Sequence, residues 1–194
     1  MTQSQFGVLA VGNALVDVIA MAEDSFITAQ GMQKGSMMLI DQARALEVYG
    51  AMGPGTETSG GSAANTMAGF ASFGGRGAFI GKVADDQLGE IFQHDIRSLG
   101  LHFTTPVLKG GASTGRCMIL VTPDGQRTMN TFLGASVELD EKDVDEALIG
   151  AADVTYLEGY LFDRDQAKAA FIKASEAAHK AGKRVALTLS DPFC

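Results

Sequence analysis

Cysteine is scarce in this 194-residue chain. There are only 2, Cys117 and Cys194, and they form no CxxC pair. That spacing excludes a disulfide framework and a cysteine-type zinc site, and it predicts two reduced thiols in a cytoplasmic protein. Basic residues are also in the minority, with 15 Lys and Arg against 23 Asp and Glu, for a net charge of −8 and no Lys/Arg cluster. An acidic surface repels phosphate backbones, so nucleic acid is not an expected partner. No basic stretch followed by an apolar one opens the chain, and no run of about 18 uncharged apolar residues occurs, so neither a signal peptide nor a membrane span is expected. Internal repeats, low-complexity segments and Pro/Ser-rich linkers are missing too. So is a Walker A loop: Gly81-Lys82 is followed by Val83, where Ser or Thr is needed to reach a phosphate-bound metal.

What is present is ordinary globular material, 46% hydrophobic and 20% charged, enough for one domain over residues 1–194. Short apolar runs at Phe6–Val11, Val16–Ala20, Ser36–Ile40, Ala78–Val83, Gly115–Val121, Arg127–Phe132, Val154–Leu157 and Arg184–Leu189 read as strands. Helical periodicity predicts helices over Gln42–Tyr49, Ser62–Phe73, Asp86–Leu99, Asp140–Leu148 and Asp165–Ala181. Gly53-Pro54-Gly55 reads as a loop, and Thr122–Gln126, with Pro123 and Gly125, as a hairpin turn. The βα alternation implies an α/β fold: a parallel central sheet flanked by helices. It breaks down near residues 14–40 and 104–133, where β runs predict a small separate sheet.

Three constellations carry chemistry. The first is Gly60-Gly61-Ser62-Ala63-Ala64-Asn65, a glycine pair ahead of a helix. Such a pair lets a ligand approach bare backbone, and the N–H groups of the first helical turn then face it. Asn65, one turn in, can donate to and accept from hydroxyls. A capped loop-to-helix junction would show the same spacing. The second is Gly12-Asn13-Ala14-Leu15-Val16-Asp17, after the first strand, where α/β sheets place ligands. The Asp17 carboxylate can accept two hydroxyls of a vicinal diol, although a turn carboxylate facing water fits as well. The third is the hairpin Thr114–Leu133. Gly111-Ala112-Ser113-Thr114-Gly115 spells a hydrolase elbow, but a β run follows it where that motif needs a helix. His94, His102 and His179 have no metal-binding spacing.

The run from Gly60-Gly61 through Asn65 and Gly74 to Phe79-Ile80-Gly81-Lys82-Val83-Ala84-Asp85-Asp86-Gln87-Leu88-Gly89 resembles the N-terminal signature of the PfkB, or ribokinase-like, carbohydrate kinase family. Ala84 stands where the family commonly has Gly. Gly12-Asn13 and Thr188-Leu189-Ser190-Asp191-Pro192-Phe193 are similar to the adenosine kinase-like branch, so the resemblance runs from about residue 6 to the last residue.

The resemblance implies a ribokinase-like α/β fold with a β lid formed by segments about 14–40 and 104–133. It implies ATP-dependent phosphorylation of a nucleoside or sugar hydroxyl. Asn13, Asp17, Gly60, Gly61 and Asn65 would hold the acceptor. Met37, Leu39 and Leu133 would face it from the lid, and Tyr160 or Leu161 would lie near it. Core packing accounts for Met37, Leu39 and Leu133 equally well. Family members use ATP and Mg²⁺, and some pair into a homodimer through the lid. Their catalytic base lies in a Gly-x-Gly-Asp motif and their Mg²⁺ is linked to an Asn-x-x-Glu motif. Neither motif occurs in these residues. The expectations are therefore that the C-terminal part of the fold is missing, that the chain is inactive alone, and that its half-sheet exposes an unpaired strand edge. The alternative is a non-catalytic nucleoside- or sugar-binding protein. A dinucleotide-binding enzyme would need G-x-G-x-x-G after Val11, where Gly12-Asn13-Ala14-Leu15 stands.

Overall fold

The computed structural model describes residues 4–162 and 164–191. The chain runs β1 (Phe6–Val11), β2 (Leu15–Met21), α1 (Asp24–Ala29), β3 (Met37–Leu39), α2 (Gln42–Ala51), β4 (Thr56–Gly60), α3 (Ser62–Ser72), β5 (Gly77–Ile80) and α4 (Gln87–Ser98). It continues with β6 (Gly115–Val121), β7 (Arg127–Phe132), α5 (Glu146–Gly150), β8 (Ala152–Glu158), α6 (Asp165–Lys180) and β9 (Arg184–Thr188).

Two sheets organise these elements. The central sheet is wholly parallel, with order β5-β1-β8-β9. Strands β1 and β5 and the C-terminal half of β8 are apolar and largely buried, as the inner strands of a parallel sheet are, whereas β9 is largely exposed. Alternate residues separate the two cores. Leu9, Val11, Ala78, Ile80 and Leu157 pack against α5 and α6, whereas Ala10 and Phe79 pack against α3 and α4. Residues 174, 177 and 178 of α6 are all alanine, which lets that helix lie close on the sheet. On the opposite face Phe79, Phe92 and Phe103 meet with ring centroids 5.5 to 6.0 Å apart. Full burial of such a side chain contributes about 1.5–3 kcal/mol.

The second sheet has order β3-β7-β6-β2-β4 and is mixed, with β6 antiparallel to β7 and parallel to β2. It corresponds to the separate sheet expected from the β-only segments, with two differences. It recruits Thr56–Gly60, a stretch with no apolar residue and no strand signal in the sequence, which pairs antiparallel with β2. Its second segment begins at Gly115, and residues 104–114 hold only an isolated bridge at Leu108. The hairpin forms as the sequence implies, with Gly125 at φ 79° and Thr122 donating to Asp124 at 2.7 Å. The open β6 after Gly115 removes the hydrolase-elbow reading.

One helix is corrected. Asp140–Leu148 is a 3-10 turn over Glu141–Asp143 followed by the short α5. Two N-caps compete within six residues: Asp140 closes a capping box with Asp143, and Asp145 accepts from Ala147 and Leu148. The second cap needs extended backbone, which interrupts any continuous helix.

Beyond β8, β9 forms the edge of the central sheet. Among the described residues it has no partner on its far side, and Leu187 (53% exposed), Leu189 and Ile172 stand open around it. Pro192, Phe193 and Cys194, which figured in the sequence reading, lie outside the described residues.

Candidate functional site

All four central strands end on the same edge, so the loops after β1, β5, β8 and β9 converge there. At that edge the second sheet turns one face away from the helices. Its other face is covered: Met118 packs under Ala45 and Val48 of α2, Val16 and Val18 pack with Phe92 and Ile96 of α4, and the Arg116 guanidinium lies 5.9 Å from the Tyr49 ring.

The uncovered face can be followed by register. Thr58, Asp17, Cys117, Thr131 and Leu39 form one cross-strand row. Thr56, Ile19, Ile119, Met129 and Met37 form the next. Directly paired residues share a face, so one carboxylate stands at the end of an otherwise largely apolar surface. The face is open at Leu39 (49% exposed) and Ile19 (39%), whereas Cys117, Ile119 and Thr131 between them are buried. The Thr131 hydroxyl donates to the Cys117 thiol at 3.2 Å, and burial pushes that thiol up to about 11, so it stays protonated.

Asp17 is half-buried, and burial raises its carboxyl to about 6 against the opposing pull of the Asn65 amide, which bonds to it. The glycine pair explains how the carboxylate is seated. A Cβ on Gly60 would fall 2.2 Å from Asp17 Cγ, so only glycine leaves room for it. Gly61 has φ 99°, and a Cβ there would lie 2.5 Å from the Asn13 carbonyl oxygen. These two residues therefore bring α3, and with it exposed Asn65, against the start of β2.

Asn13 is placed differently from the sequence expectation. It is 3% exposed, and both ends of its amide are engaged inside the protein. Its Nδ2 donates to Glu158 Oε2 at 3.0 Å, and its Oδ1 accepts from the Ser136 hydroxyl at 2.9 Å. The open helix N-terminus is likewise partly taken, because Ala63 N–H donates to Glu158 Oε1 at 2.9 Å. Glu158, at the end of β8, was not among the residues singled out by the sequence. Its signal was a carboxylate at the carboxyl end of an apolar parallel strand, where a buried charge needs a reason.

Leu133 is half-buried at the start of a 3-10 turn; its carbonyl accepts from the Ser136 amide and shares the single Ser136 hydroxyl proton with Asn13 Oδ1. It lies over the start of β6, its carbonyl oxygen 2.3 Å from where a Gly115 Cβ would be. Met37 is half-buried on the open face. Tyr160 is half-buried beyond Glu158, its N–H donating to Ser190 Oγ at 3.1 Å. Leu161 does not join the group. It is 1% exposed and packs in the core beneath α6.

The second half of the motif, Gly81 to Gly89, is structural. Asp86 caps α4 through Gly89 N–H and accepts from both the backbone and the hydroxyl of Thr114, 2.8 and 2.6 Å away. Burial opposes its ionisation, but these bonds hold it below the usual carboxylate range. This contact ties α4 to the start of β6. Lys82 pairs with buried Asp143. Among the described residues no group of three or more His, Cys, Asp or Glu could hold a metal ion. No helix among them is long and apolar enough to cross a membrane.

Comparison with known proteins bears on the family and the fold. The family model described as pfkB family carbohydrate kinase matches residues 8–194. The crystal structure of adenosine kinase from Sinorhizobium meliloti superposes with a TM-score of 0.91 at 54% identity, covering 98% of this chain and 58% of that one. A probable sugar kinase from Rhizobium etli CFN 42 gives 0.92 at 49% identity, covering 99% and 58%. Among curated proteins, probable fructokinase-6 of Arabidopsis thaliana is 30% identical over 125 residues, 63% of this chain and 33% of that protein. The match thus spans about a third of the length of that curated relative.

Proposed function

The chain belongs to the pfkB family of carbohydrate kinases, and from that premise we propose that it supplies the acceptor-binding part of an ATP-dependent kinase. The acceptor is a nucleoside, adenosine before a free sugar. The observation that carries the reading is Asp17: a single half-buried carboxylate at the end of an open apolar sheet face, seated over Gly60 and bonded to Asn65. Two vicinal hydroxyls of a ribose would donate to its two oxygens, and charge-assisted bonds of that kind are about twice as strong as neutral ones. The bare backbone at Gly60 and Gly61 lets the sugar ring come close. Leu39, Met37, Ile19 and Leu133 offer an apolar surface to a nucleobase, which a free sugar would leave unused. The name of the 54%-identical structure, adenosine kinase, supports that order of preference.

These residues bind and orient the acceptor, and positioning lowers the barrier to transfer by fixing a near-attack geometry. They do not fit ATP or Mg²⁺. Among the described residues there is no metal-ligating cluster, and the sequence carries neither Gly-x-Gly-Asp nor Asn-x-x-Glu. Those cofactors are assigned to the complete protein. A homodimer through the lid would pair on β3 or β4, its end strands.

Equilibrium dialysis of the 194-residue chain against adenosine, ribose and fructose tests the reading. Adenosine should bind most tightly, and incubation with ATP and Mg²⁺ should yield no phosphorylated product. A chain that binds none of the three, or one that transfers phosphate by itself, contradicts it.

A further inference from the structure

Glu158 is 1% exposed, yet its carboxylate is surrounded by donors. Oε2 accepts from Asn13 N–H at 2.6 Å and Asn13 Nδ2 at 3.0 Å. Oε1 accepts from Ala63 N–H at 2.9 Å and from the Ser62 hydroxyl. A buried carboxylate is costly unless its oxygens are satisfied, and this one also sits at the positive end of α3. The donors come from two segments far apart in sequence. One is the β1–β2 loop, four residues before Asp17. The other is the first turn of α3, two residues before Asn65. A third segment joins through Asn13, whose Oδ1 accepts from Ser136 just after Leu133.

We propose that Glu158 is a positioning residue that ties the Asn13 loop to the first turn of α3 and thereby sets the spacing between Asp17 and Asn65, without itself touching the acceptor. Asn13 works with it as a link in the same tie, since its amide is used at both ends. The proposal rests on the acceptor reading above for its functional consequence, but the tie has a readout of its own.

A double-mutant cycle on adenosine affinity tests it. Glu158→Gln turns one acceptor oxygen into a donor, so one pair of donors must face an NH₂ group whichever way the amide turns. Affinity should fall about tenfold or more. Asn13→Asp alone sets two carboxylates against each other and should cost at least as much. In the double variant N13D/E158Q, the amide nitrogen introduced at position 158 can donate to the carboxylate introduced at position 13, while the amide oxygen serves Ala63 and Ser62. Only the backbone N–H of position 13 loses its acceptor. The double variant should therefore bind adenosine more tightly than either single variant. Two residues that touched the acceptor directly would instead lose affinity cumulatively. Wild-type affinity for Glu158→Gln, or a double variant that binds no more tightly than the better of the two single variants, overturns the proposal.

Amide hydrogen exchange in the ligand-free chain reads the tie without acceptor. The Asn13 and Ala63 amides should be protected in the wild type, and at least one should lose protection in Glu158→Gln. Unprotected amides in the wild type overturn the tie. If the amides are protected but the wild type binds no adenosine, the acceptor reading fails and the tie stands.

Discussion

Two carboxylates lie near the same edge of the molecule and are treated in opposite ways. Glu158, at the end of a central parallel strand, is sealed among four donors from two segments. Asp17, on the second sheet, is half-buried, bonded to Asn65, and faces an uncovered surface, and burial holds its carboxyl up near 6. The first arrangement stabilises: removing one partner of a buried network leaves charge or donors unsatisfied. The second keeps a charge in a place that does not suit it, which is a common property of binding and catalytic groups. The central sheet thus supplies rigidity, and the second sheet supplies the carboxylate proposed above to hold the acceptor.

The largest effect that sharpens this contrast is expected from Gly60→Ala. The new methyl would lie 2.2 Å from Asp17 Cγ and must displace the carboxylate. Adenosine affinity should drop by about 100-fold, the cost of two charged hydrogen bonds, with only a modest change in melting temperature. Retained affinity would show that the seat of Asp17 is irrelevant to binding.

Acidity should come next. Because burial raises Asp17 to about 6, the carboxylate is lost below that pH, and adenosine affinity should fall by about tenfold per unit below 6. Stability should move the other way. The folded pKa lies above the unfolded value, so the contribution of Asp17 to stability is present below about 4 and declines as pH rises toward 6. Cys117, the titratable side chain beside it in the row, stays protonated throughout. A flat binding profile between about pH 4.5 and 7.5 would break the contrast.

The smallest effect is reserved for the apolar face. Leu39 is 49% exposed, so Leu39→Ala should cost little stability. It should weaken adenosine by about threefold to tenfold and leave ribose unchanged, since only a base would cover that side chain. Equal losses for both ligands would remove the nucleobase from the open face.

Much of this was legible in the sequence. Apolar runs and helical spacing marked every strand of the central sheet and its larger helices, because buried strands and amphipathic helices advertise themselves by composition. The glycine pair, Asp17 and Asn65 stood out through the PfkB-like signature, since their spacing alone fits a capped loop-to-helix junction, and the structure brings them together. What escaped was non-local. Strand β4, Thr56–Gly60, has no apolar pattern and exists because β2 offers it a ladder. The saturation of Asn13 depends on Glu158, 145 positions away, which no local window can pair with it. The family resemblance put Tyr160 or Leu161 near the acceptor, but the 3-10 turn at Gly159–Leu161 rotates Leu161 into the core.

The central claim is that Asp17 holds the acceptor at the expense of its own comfort. Adenosine affinity and melting temperature of Asp17→Asn, measured together at about pH 8, test it most directly. Affinity should fall by about 100-fold or more while the melting temperature stays level or rises, because a poorly solvated charge has been removed. Affinity within about threefold of the wild type, on the same scale of charged hydrogen-bond loss, would contradict the account.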